Sequence, residues 1–92
     1  MNKTGIELIA EERKRQITEE GFDAKHDSHW IGGELSMAAC CYARQETKNP
    51  DFAPFDFPWE KEWWKPTPDD RIRELVKAGA LIAAEIDRLQ NA

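Results

Sequence analysis

Apolar positions recur at helical spacing in three stretches of this chain and lose that spacing between them. In the first stretch Ile6, Ile9 and Ile17 share one face with Leu8 beside it, while Glu7, Glu11, Lys14 and Glu19 lie mostly elsewhere. Arg13 falls on the apolar face, a cation among isoleucines. Thr4 and Glu7 have the spacing of a capping box. Gly21 supplies a left-handed stop with Phe22 as the apolar contact after it, so a helix is predicted over about 5–20. In the second stretch Leu35, Met37, Ala38, Ala39, Cys40, Cys41, Tyr42 and Ala43 are apolar or small on nearly every side. A helix apolar all round is normally buried on several faces, so the segment 34–46 is expected to be the central helix.

The third stretch opens with Thr67, Pro68, Asp69 and Asp70: a cap, a proline at the first helical position and acids in the first turn. A helix over about 68–90 follows. Ile72, Leu75, Val76, Gly79, Ile82, Ala83, Ile86 and Leu89, at spacings of three and four, are expected to face inward. Gly79 on that stripe costs helix propensity, and a close approach of another helix is the expected return. Ala78, Ala80 and Ala84 make a second small face. Two packing faces on one helix of so short a chain predict a homo-oligomer through it.

Between the helices the periodicity fails. Residues 22–33 read as a loop carrying His26, His29 and Trp30. Residues 47–66 mix Pro50, Pro54 and Pro58 with Phe52, Phe55, Phe57, Trp59, Trp63 and Trp64. That mixture breaks helices but is too apolar for water, so it predicts an ordered loop, with a short helical turn over Trp59 to Trp64. The expectation is one all-α domain over 1–92, three helices with an aromatic and proline-rich loop, completed by oligomerisation.

Composition narrows the function classes. At 92 residues the chain buries only a thin core. Eighteen acidic against 13 basic residues, a net charge of -5, argue against a protein that coats nucleic acid. The longest apolar run, Ala78 to Ala84, is far too short to span a membrane, and the N-terminus lacks a signal peptide's apolar run, so a cytoplasmic location is expected. Cys40 and Cys41 are adjacent and point more than a quarter-turn apart on a helix, which suits two small core residues better than a bond or a shared metal.

The residues able to carry chemistry are few. His26-Asp27-Ser28-His29-Trp30 is the densest polar cluster, its imidazoles suited to capping, to a ligand or to a metal. Lys77 lies inside the most apolar helix, where a cation needs a carboxylate such as Glu74 or Glu34, or an anionic ligand. Arg13, Lys14, Arg15, Lys65, Arg71 and Arg73 add to a possible cationic pocket. Trp63-Trp64-Lys65-Pro66 joins indoles that stack on a base to a cation that meets its phosphate, although covering a thin core is the commoner use of such rings. Glu7 with Glu11 has one-turn carboxylate spacing, which suits magnesium as well as a solvated face.

These pieces together resemble a family of short proteins encoded by tailed phages and prophages. The matching residues include Glu11-Glu12-Arg13, Arg15-Gln16, Glu20-Gly21, His26-Asp27, Gly33-Glu34-Leu35, Tyr42-Ala43, Trp64-Lys65-Pro66 and Leu75 to Leu81. The resemblance implies a phage-associated role in the host cytoplasm and no particular reaction. A looser similarity is to the MazG-like all-helical nucleotide pyrophosphohydrolases. The chain departs from their pattern at Arg15, where a third glutamate is expected, and at Met37, where an aspartate is. Three readings follow. The first is a small-ligand binding protein that holds an anionic nucleotide-like molecule through Arg13, His26, His29, Trp64, Lys65 and Lys77 with no cofactor, and so sequesters a host signal. The second is a divergent magnesium-dependent pyrophosphohydrolase using Glu11, Glu12 and Glu34. The third is a module that binds a host protein through the aromatic loop.

Overall fold

The computed structural model describes residues 2–21, 23–45 and 48–91. The proposed contact of Phe22 lies outside the described residues, and the second helix stops at Ala43, short of the expected 46, because Arg44 leaves the helical conformation with ψ at 144°. Within them the chain is all-α: α1 (Gly5–Glu19), a single turn α2 (Ala24–Asp27), α3 (Glu34–Ala43), a 3-10 turn (Lys61–Trp63) and α4 (Arg71–Gln90). No described helix is long and apolar enough to cross a membrane.

Local chemistry sets the boundaries. Thr4 Oγ1 accepts from the Glu7 amide at 3.2 Å and Glu7 Oε1 accepts from the Thr4 amide at 2.9 Å, the reciprocal box expected at the start of α1. Residues 22–33 are not wholly loop, because Asp23 Oδ1 accepts from the His26 amide at 2.9 Å and starts α2. Gly33, with φ at +88°, takes the left-handed position that turns the chain into α3. α4 starts at Arg71 rather than at Pro68. Asp70 is its cap, accepting from the Arg73 amide at 3.0 Å, and Thr67 to Asp70 form a turn ahead of it.

α4, not α3, is the central helix, since it packs against α3, α1 and α2. Its 20 residues give it room for several neighbours, whereas α3 has ten and leaves Ser36, Met37 and Cys40 in solvent. The dry core lies between these two helices and the aromatic segment: Leu35, Ala38, Ala39, Cys41 and Tyr42 from α3, Ala78, Leu81 and Ala84 from α4, and Phe57 and Trp64. Trp64 stacks on Tyr42 at 4.9 Å and donates its indole N–H to the Asn49 carbonyl at 2.9 Å. Cys41 is buried in this core and Cys40 is exposed, so only one of the adjacent cysteines is a core residue. The C-terminus of α3 is capped from afar. The Arg71 guanidinium donates to the carbonyls of Tyr42, Ala43 and Arg44, covering oxygens that the helix leaves unpaired. Buried Glu74 is matched by buried Lys48 at 3.1 Å.

Of the stripe expected to face inward on α4, Val76 is buried and Gly79 and Ala83 are half-buried, but the other large members face outward. Ile72, Leu75, Ile82, Ile86 and Leu89 are all between 46% and 66% exposed, and the buried positions are Glu74, Val76, Ala78, Ala80, Leu81 and Ala84. Small side chains let α3 and the aromatic segment approach closely, and large branched ones would hold them off, so packing distance overrode bulk hydrophobicity. Gly79 does mark a close approach: a Cβ there would lie 2.5 Å from Ile9 Cδ1 of α1.

Candidate functional site

The polar chemistry converges on a cleft bounded by α1, the middle of α4, Tyr42 and the aromatic segment. Its α1 wall is the row Glu12, Gln16 and Glu20, spaced four apart so that the three side chains share one face, with Arg15 beside them. Glu12 and Gln16 are the buried residues of α1, so this helix turns polar groups toward the protein beside Ile9, which packs on α4 at Gly79. Ile6 and Ile17 are exposed.

Glu12 holds the α1 side together. Arg15 clasps it with two hydrogen bonds of 2.9 Å, and Arg73 of α4 reaches it at 2.7 Å. Burial pushes the Glu12 carboxyl up, but the Arg15 hydrogen bonds and the Arg73 and Arg15 charges outweigh it, and the group sits below its ordinary 4.5. Arg15 also meets Glu20 at 3.4 Å, and Lys65 meets Glu20 at 3.6 Å. Gln16 donates to Glu12 at 3.4 Å, yet its buried Oε1 accepts from no described donor. A buried carbonyl oxygen without a donor is costly.

Opposite lies Lys77. Its ammonium donates to the Lys65 carbonyl at 2.7 Å and stands 5.8 Å from the centre of the Tyr42 ring. Neither expected partner, Glu74 or Glu34, meets it: Glu74 is matched by Lys48 and Arg71, and Glu34 accepts from the Gly32 amide at 2.7 Å. Burial and the charge of Arg73, aided by Arg15, hold the Lys77 ammonium below its ordinary 10.5 against the opposing pull of Glu12 and Glu74. The Tyr42 hydroxyl accepts from the Lys65 amide at 3.1 Å and donates to the Trp63 carbonyl at 3.4 Å, fixing the segment that carries both residues. Burial pushes that phenol up to about 12, so it stays a neutral donor.

The recess is small, about 60 Å³, roughly the share of two water molecules. It opens past Glu20, Trp63 and Lys65 into a depression of about 220 Å³ bounded also by Glu62. Beyond Trp63 a second depression, about 340 Å³, runs along Trp30, Pro58 and Trp59. The half-exposed Trp63 ring therefore borders all three spaces.

Of the six residues expected to hold the ligand, Lys65 and Lys77 meet at this cleft and the other four do not, whereas Glu12, Arg15 and Trp63, singled out on other grounds, line it as well. Trp64 is in the core. His26 supports the wall from behind, its ring stacked 6.1 Å from Trp63 and its Nδ1 facing the Trp30 indole N–H at 3.4 Å and Asp27 at 3.2 Å. His29 is exposed. Arg13 pairs with buried Asp27 at 3.0 Å and with Asp87 at 3.8 Å, tying α1 to α2 and α4 away from the cleft. Glu11 is in solvent with Lys3. Among the described residues no group of three or more His, Cys, Asp or Glu side chains is arranged to hold a metal ion, so Glu11, Glu12 and Glu34 are not brought together. Gln16, Glu20, Tyr42 and Trp59 also line the cleft, and no motif in the sequence marks them for it. The row at 12, 16 and 20 was the available signal, but it takes a partner helix to distinguish a buried polar row from a solvated one.

No protein-family model, curated protein or solved structure matches the chain.

Proposed function

We propose that the chain binds a small anionic molecule with a planar part, of the nucleotide class, at the cleft between α1, α4 and Trp63. The observation that carries this reading is Lys77. Its ammonium is held inside an apolar helix, makes no ion pair among the described residues, and is spent on a carbonyl and a ring. An anionic group in the recess adds the charge partner that Lys77 lacks, within reach of Lys65 and Arg15. Gln16 Oε1 calls for a hydrogen-bond donor on the same ligand, which a protonated phosphate or a sugar hydroxyl supplies. The adjacent Trp63 face offers a stacking platform for the planar part. Sequestration of a host signal is the role that such binding would serve.

Calorimetry across a panel of linear and cyclic nucleotides tests this reading, and absence of heat with every member overturns it. Lys77→Met is expected to weaken binding about tenfold or more, the loss of a charge-assisted contact. An anion raises the depressed ammonium of Lys77, so affinity falls as pH rises through its value in the free protein, below 10.5. In Lys77→Met that alkaline loss disappears.

A further inference from the structure

The depression beyond Trp63 differs in kind from the cleft. The indole rings of Trp30, Trp59 and Trp63 border it with Pro58, and Glu60 is its one charged group. No described lysine, arginine or histidine lines it. The ring centres form a nearly equilateral triangle: Trp30 lies 5.5 Å from Trp59 and 6.4 Å from Trp63, and Trp59 lies 5.8 Å from Trp63. Their planes are inclined to one another by 48° to 82°, so the rings stand as walls rather than as a flat stack. A cation seated about 4 Å above that triangle is about 5 Å from all three centres, inside the cation–π range of roughly 6 Å. The rings are held before anything binds. Trp30 donates its indole N–H to His26 at 3.4 Å, Trp59 meets the core ring of Phe57 at 5.8 Å, and the Tyr42 hydroxyl holds the Trp63 carbonyl.

We propose that this depression binds a small quaternary ammonium compound of the choline class. Indole faces are electron-rich, and with the Glu60 carboxylate they favour a positive charge and disfavour the anion that suits the cleft. A primary ammonium brings three N–H donors, and a single carboxylate leaves most of them stripped of water without an acceptor. Methylation replaces those donors with methyl groups that bury on the rings. The volume of about 340 Å³ takes such a head group with a short tail. A free molecule suits the site better than a group borne on a peptide. The rim is made of side chains, and among the described residues no strand edge lies open to pair with a peptide main chain.

Each tryptophan gives one indole N–H resonance, so titration of the full chain with choline chloride separates the three ring walls from Trp64 in the core. The Trp30, Trp59 and Trp63 signals are expected to move saturably, with half-saturation on the order of a millimolar, while that of Trp64 stays in place. The uncharged analogue in which carbon replaces the choline nitrogen is expected to bind about fivefold more weakly. Glu60 is exposed, so Glu60→Gln should keep the fold and weaken choline binding about threefold. No saturable shift, shifts reproduced by sodium chloride, equal binding of the uncharged analogue, or unchanged affinity in Glu60→Gln each overturns the proposal. A peptide bearing trimethyllysine that binds about tenfold tighter than choline overturns the assignment to a free small molecule.

Discussion

α4 has two neighbours of opposite character. Against α3 it presents Ala78, Leu81 and Ala84 to Leu35, Ala38, Ala39 and Cys41, a dry contact of small aliphatic groups. Against α1 it presents Gly79 to Ile9 and Arg73 to Glu12, and the interior of that contact is ionic and amide chemistry. Dry packing of this kind draws its stability from area and density and is indifferent to pH. A buried ion pair gives little net stability, because desolvation offsets attraction, but it is sensitive to the loss of either partner. The candidate ligand cleft opens on the α1 side, where polar groups are already gathered and shape can change at lower cost.

The largest effect should come from breaking the dry side. Leu35→Ala removes a fully buried side chain facing α4 and is expected to cost about 3 kcal/mol, read from urea denaturation. Next comes the wet side. Glu12→Gln leaves Arg15 and Arg73 without their carboxylate, but each is about a third exposed and regains water, so the cost should be about 2 kcal/mol rather than the full penalty of a stranded charge. The pH dependence separates the two contacts. The Glu12 carboxyl is depressed in the folded chain, so its stabilisation is present above 4.5 and is lost as pH falls through the folded value. The gap between the native chain and Glu12→Gln should therefore close in acid, whereas the gap for Leu35→Ala should persist. A Glu12→Gln gap that stays constant with pH would rule out the ionic account.

The smallest effect lies where α1 crosses α4. Gly79→Ala gains up to about 1 kcal/mol of helix propensity but pushes aside the end of Ile9, so its net change should be within about 1 kcal/mol of zero. In an Ile9→Ala background the obstruction is gone and the same substitution should stabilise. Thermal midpoints of the four chains give the coupling, and additivity would show that Ile9 and Gly79 do not touch.

Much of this was legible along the chain. Capping chemistry is local, so Thr4 with Glu7 fixed the start of α1 without reference to anything distant. Periodicity fixed that there are three long helical segments, and the mixture of prolines and tryptophans fixed an ordered segment between the second and the third. Gly79 announced a close approach. Lys77 was conspicuous as a cation in an apolar helix, and Lys65 as its neighbour in type.

Only the tertiary structure decided which way those helices face. Periodicity establishes that residues share a side and says nothing about what lies opposite. On α4 the two apolar sides differ in size of side chain, and close packing against α3 and the aromatic rings selected the small one, leaving the isoleucines outside. On α1 the same ambiguity put Glu12 and Gln16 inside, because Arg73, 61 positions further on, arrives to satisfy a buried carboxylate. Trp63 and Trp64 are adjacent, and a single peptide step sends one to the cleft and the other to the core. Burial depends on partners brought together by the fold, and a pattern read along one chain does not contain them.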